Sequence, residues 1–141
     1  MSHQVIEAEQ LVLSSRSSVN VVRTSGQFVC RARVAANPWS RAIGLLGRRG
    51  LAPANGLLIR PCRSVHTVFM CFSIDVVYLS RDWSIVKLVP NMKPFSLSSG
   101  GRAAYLCLEL PGGSIERLRL KIGEALVCPK LGQERNGLFF S

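Results

Sequence analysis

The chain has 141 residues, 48% apolar and 18% charged. That is enough for one domain and too apolar for intrinsic disorder, which combines low hydropathy with high charge. Lys and Arg total 18 against 8 Asp and Glu, for a formal charge of +10, and 14 of the 18 are arginine, a balance that attracts anions.

Residues 1–18 read as a weakly ordered leader ending in Ser14-Ser15-Arg16-Ser17-Ser18. Glu7 and Glu9 and a short Leu11-Val12-Leu13 run do not make the basic start and apolar stretch of a secretory signal. No run approaches the roughly 18–20 apolar residues that span a bilayer, and a cytoplasmic location is expected. Extended segments follow at 19–24 and 27–34, flanking Ser25-Gly26 as a hairpin connection. A helix is predicted over 37–47. Asn37 caps it, Pro38 takes its first position, Trp39, Ala42, Ile43 and Leu46 form one apolar stripe, and Gly47 ends it.

Further strands are predicted at 56–60, 65–72, 74–80, 84–89, 103–110 and 124–128, with 96–101 as a Ser- and Gly-rich loop. A second short helix is predicted over 114–120, after the Pro111-Gly112-Gly113 turn. Short strands at spacings near ten residues predict a single, mainly β domain over 19–129: an antiparallel sandwich or small barrel with two short helices. The tail, 130–141, carries Gly137-Leu138-Phe139-Phe140 and is expected to pack on the body.

Several motifs resemble domain-of-unknown-function family 192. They are Arg41-Ala-Ile-Gly44-Leu45-Leu46-Gly47-Arg48, Gly56-Leu57-Leu58, His66-Thr-Val-Phe69-Met70, Ile74-Asp75-Val-Val-Tyr78-Leu79, and Leu108-Glu109-Leu110-Pro111-Gly112 with Gly123. The resemblance covers about residues 28–128 and implies a compact, mainly β domain of bacteria and archaea with no settled activity. Cys71 stands where the family commonly has a basic residue, and Ser73 where it commonly has proline. Asn91-Met92-Lys93-Pro94-Phe95 resembles the family's Pro-aromatic loop and is expected to fold over the core.

Asp75 and Glu109 are the most informative residues. Each sits in a strand that is apolar on both faces, so each carboxylate is expected to be buried and answered by a partner. Candidate partners are Arg41, Arg48, Arg60, His66 and backbone N–H groups. His66 suits a hydrogen-bonded position at the core edge, and an imidazole is also a candidate general base. Cys30, Cys71, Cys107 and Cys128 lie in apolar runs and read as reduced core residues. Cys62, between Arg60 and Arg63, is the best candidate for a reactive thiol.

His66 and Cys71 are five residues apart and would point to opposite faces of one strand, so no metal is expected, and no cofactor is implied. Between Glu9 and Asp75 there is no acid but a succession of arginines. Phe28, Trp39, Phe69 and Phe72 in that half look buried, which disfavours single-strand stacking. The reading reached is a non-catalytic binding or accessory module for an anionic ligand or a protein partner. Its basic cleft is lined by Arg41, Arg48, Arg60 and His66, with Asp75 and Glu109 orienting the arginines. The alternatives are a small enzyme using His66 with Asp75 or Glu109 as acid and base, and a nucleic-acid-binding protein.

Overall fold

The computed structural model describes residues 18–35, 50–68 and 70–129. Strand β1 (Ser18–Arg23) doubles back into β2 (Phe28–Ala35). The connection closes with Gly26 N–H on the Arg23 carbonyl and Arg23 N–H on the Gln27 carbonyl, both at 2.8 Å. Gly26 holds φ at 93° there, a conformation that a side chain resists. The hairpin read from Ser25-Gly26 is therefore present.

Strands β3 (Asn55–Ile59), β4 (Ser64–His66), β5 (Ile74–Leu79), β6 (Ile85–Met92), β7 (Leu97–Ser99), β8 (Leu106–Pro111) and β9 (Leu126–Val127) follow, with helix α1 (Ser114–Leu118) between the last two. Seven of the nine strands described form one sheet in the order β6-β5-β8-β3-β2-β1-β9, and β4 pairs with β7 in a separate ribbon. The sheet curls into a half-barrel, the mainly β architecture expected from the sequence.

Strands β5 and β8 lie side by side in the sheet, which is why both are buried along almost their whole length. One pair departs from the antiparallel pattern: β2 and β3 run parallel. The connection over 36–54 is long enough for the crossover that parallel pairing requires. Strand β6 forms the edge and carries Pro90 and Lys87, residue types that an open edge tolerates.

The sheet buries one core on each face. Val77, Leu79, Leu106, Leu108 and Leu110 pack with Ile115 and Leu118 of α1. On the other face Ile59, Val76, Tyr78 and Cys107 pack with Val65 of the ribbon.

Three local expectations are corrected. The strand read over 65–72 ends at His66, because Thr67 turns the chain through Met70 N–H on its carbonyl. Cys71 is consequently exposed, whereas Cys30, Cys107 and Cys128 are buried. Leu97–Ser99, read as loop, is strand β7, whose polar sequence pairs because β4 lies opposite it. The helix read over 114–120 stops at Leu118, where Arg119 takes a left-handed φ of 54°. The helix read over 37–47 lies outside the described residues.

Candidate functional site

Asp75 is fully buried, and of the partners expected for it the backbone amides, not a guanidinium group, supply its hydrogen bonds. Its Oδ1 accepts the N–H of Asn91 at 2.8 Å and of Gly113 at 3.1 Å, and its Oδ2 accepts that of Ile115 at 2.7 Å. Gly113 and Ile115 flank the start of α1, whose N-cap residue makes no side-chain bond of its own. The carboxylate on β5 thus caps a helix about forty residues away in sequence and satisfies amides that a short helix leaves open. It also fixes Asn91, which has a left-handed φ of 49° near the end of β6.

Glu109 is equally buried and has a polar or electrostatic interaction of its own. It points the other way. In the β5–β8 register Asp75 is opposite Leu110 and Val76 is opposite Glu109. Asp75 therefore shares a face with Val77, Leu110 and α1, and Glu109 shares one with Val76, Tyr78 and Cys107, because side chains alternate along a strand. Two carboxylates on opposite faces of a sheet cannot line one cleft. The expected cleft, in which both acids orient the same arginines, is corrected to this extent. A histidine–Asp75 acid–base pair is corrected as well, because His66 is exposed on the ribbon at the Glu109 side of the sheet.

The ribbon is fixed to the sheet from beneath. Val65 enters the core, and the Tyr78 hydroxyl donates to Ser98, with both its carbonyl oxygen and its Oγ at 3.0 Å. Thr67, fully buried, ties the two sides together. Its hydroxyl donates to the Lys93 carbonyl at 2.6 Å and accepts the Ser96 N–H at 2.8 Å. Its N–H donates to the Ser96 carbonyl, and its carbonyl accepts the Phe95 N–H.

This arrangement sets the loop after β6 in a fixed posture. The Pro-aromatic loop does not fold its aromatic over the core: Phe95 is 71% exposed and Leu97 80% exposed. Neither was legible as a surface residue, because exposure here follows from the pairing of β7 with β4. Phe28, read as buried, is also exposed, at the start of β2.

Arg60 follows β3 and lies over the Tyr105 ring, 5.2 Å from its centroid, and Arg81 lies over the same ring at 3.9 Å. Such stacking suits the planar guanidinium. Arg63, Lys87, Lys93 and Arg102 are exposed around the ribbon. Among the described residues, none of 50–68 or 83–108 is acidic. The described acids that are not buried lie elsewhere. Glu116 is on α1, Glu124 binds Arg23 through Nε at 2.8 Å and Nη2 at 2.9 Å, and Asp82 accepts from Ser80 and Ser84 in the β5–β6 turn. Arg41 and Arg48 lie outside the described residues. Among the described residues, no group of three or more His, Cys, Asp or Glu is arranged to hold a metal ion, and no helix is long and apolar enough to cross a membrane.

The arrangement offers three things: a carboxylate used up on amides, a fixed apolar tip, and a cationic surface around it. Comparison with known proteins agrees with the fold and sets no chemistry. The family model DUF192, described as Uncharacterized ACR, matches residues 20–128. A UPF0127 protein of the archaeon Pyrococcus furiosus is 34% identical over 97 residues, 67% of this chain and 83% of the relative. A protein of Sinorhizobium meliloti 1021, whose crystal structure bears the name "putative transcription regulator", superposes with a TM-score of 0.70 at 24% identity, covering 81% of this chain and 95% of that one. A protein of unknown function from Novosphingobium aromaticivorans superposes with a TM-score of 0.67 at 23% identity, covering 77% and 82%. At these identities the two structures speak for the fold alone. With its motifs in order and nearly the whole described region matched, the chain belongs to the uncharacterised DUF192 family.

Proposed function

We propose that this chain is a small, non-catalytic binding or accessory module whose partner is anionic. The recognition surface is the cationic side of the sheet and ribbon: Arg60 and His66, together with Arg41 and Arg48 as read from the sequence. The observation that carries the proposal is the partition of charge. Asp75 and Glu109, the acids of the central strands, are internal, while Arg63, Lys87, Lys93 and Arg102 stand exposed in segments without an acid. Such a field concentrates anions at the surface. Catalysis through Asp75 is disfavoured because its carboxylate is buried and taken up by three backbone amides on the face away from His66.

The test is a thermal melt with inorganic phosphate, polyphosphate and mixed oligonucleotides, each at low and raised salt. A ligand that binds the native state raises the melting temperature. The proposal requires a rise with at least one polyanion that fades as salt is added. No rise with any of the three at low salt would refute it. A rise with oligonucleotide alone would select nucleic acid within the anionic class.

A further inference from the structure

The two sides of the β4–β7 ribbon have opposite characters. Val65, Thr67, Ser96 and Ser98 face the sheet and are buried or half-buried. The alternate residues His66, Val68, Phe95 and Leu97 face outward and are exposed. His66 and Leu97 are direct cross-strand partners, and the Phe95 N–H bonds to the Thr67 carbonyl at 3.0 Å, which brings Phe95 beside Val68. The result is a tip of three apolar side chains, 40%, 71% and 80% exposed for Val68, Phe95 and Leu97.

Phe95 holds a left-handed φ of 57°, which costs a residue other than glycine or asparagine conformational energy. The ring itself offsets none of that cost, because it faces solvent. Lys93 precedes the tip by two residues, Arg63 precedes β4, and Lys87 donates from Nζ to the Ser99 carbonyl of β7 at 2.7 Å.

We propose that this face of the ribbon docks on an anionic lipid bilayer, with Val68, Phe95 and Leu97 entering the interface and Lys93 and Arg63 meeting the headgroups. The inference rests on the anionic-partner reading and names the partner. Charge complementarity carries it, since Lys93 lies two residues before Phe95, Arg63 and Lys87 stand at the other end of the same ribbon, and no acid lies in 50–68 or 83–108. Interfacial binding grows with buried apolar area plus attraction to anionic lipid, the two features combined here. A stable protein interface wants about 800 Å² per partner, more than three side chains on a narrow ribbon supply. A soft interface has no such requirement. Because Thr67 fixes the loop from within, the tip is formed before it meets a surface, and docking needs no rearrangement.

The experiment is vesicle flotation with phosphatidylcholine alone and with about a quarter phosphatidylglycerol, at low and raised salt. The wild-type chain is expected to float with the anionic vesicles, less at raised salt, and hardly at all with neutral ones. Phe95→Gly relieves the left-handed strain, so it is expected to melt no lower than wild type and yet to bind at least tenfold more weakly, as are Leu97→Ser and Lys93→Glu. Failure of the wild type to float overturns the bilayer assignment, and so does undiminished flotation of Phe95→Gly together with Leu97→Ser. If the polyanion-induced rise in melting temperature is still seen, the broader anionic reading survives that failure. If the rise is also absent, both fall. Sedimentation of the wild type as a dimer that Phe95→Gly dissociates would place a second copy on this face and likewise overturn the proposal.

Discussion

Replacing Asp75 by asparagine is expected to lower the melting temperature by about 10 °C. In the native chain Oδ1 accepts two amides and Oδ2 a third, all from backbone that has few other places to turn. Asparagine keeps one carbonyl oxygen, which can serve Asn91 and Gly113. Its amide nitrogen then faces the Ile115 N–H, donor against donor. One charge-assisted bond is lost, about 1.5–3 kcal/mol, and a buried N–H is left open. The combined loss is about 2–4 kcal/mol. At about 3–5 °C per kcal/mol for a domain of this size, that is the shift given above. Asp75→Ala removes both acceptor oxygens and all three hydrogen bonds and is expected to cost more, about 4–6 kcal/mol. The assay is thermal unfolding followed by circular dichroism, with amide exchange at Ile115 as the local readout. An Asp75→Asn variant that melts within about 2 °C of wild type, with Ile115 still protected, would refute the reasoning.

Three further outcomes follow from other parts of the fold. Arg23 binds Glu124 through two nitrogens and also reaches the carbonyls of Leu118 and Arg119, so it ties β1 to the end of α1 and to β9. The hydrogen bond from Arg23 holds the Glu124 carboxyl below the usual carboxylate range. Its stabilisation is therefore present above the unfolded value near 4.3 and is lost as pH falls through the lower native value. Chemical denaturation of Arg23→Ala should show a loss of about 2 kcal/mol near neutral pH that shrinks on acidification, and a loss independent of pH would contradict it.

A methyl group at position 100 would overlap the Tyr78 ring and the Ala104 side chain. Gly100→Ala should therefore unfold at lower denaturant, by about 1–3 kcal/mol, with an undiminished melt as the contrary result. Iodoacetamide at neutral pH should modify exposed Cys71 first and half-buried Cys62 more slowly. Cys30, whose thiol burial and neighbouring Cys128 push up to about 12, should react only on unfolding. Peptide mass mapping that finds Cys30 modified early would refute this.

The legible parts of the fold were those where local pattern and tertiary setting agree. Residues 74–79 and 106–110 are apolar on both faces, and they became the strands whose neighbours cover both sides. Gly26 and Gly113 marked turns because their positive φ angles suit glycine. That Asp75 and Glu109 would be buried followed from the same strands, and backbone N–H groups were among the partners expected, but which amides answer Asp75 did not follow. The amides that meet Asp75 come from residues 91, 113 and 115, and only the closed fold brings them together. The opposite facing of the two acids depends on a cross-strand register that no single segment encodes. Leu97–Ser99 became a strand through its partner rather than its own propensity, and the same pairing pushed Leu97 and Phe95 outward.

The central claim, an anion-recognising cationic surface on the ribbon side, is tested most directly by amide chemical-shift mapping during titration with inorganic polyphosphate. Saturable shifts are predicted at Arg60, Arg63, His66, Lys93 and Arg102, with the amides of Arg117, Arg119 and Lys121 unmoved. Shifts confined to the 117–121 segment, or spread evenly over every basic residue, would contradict it.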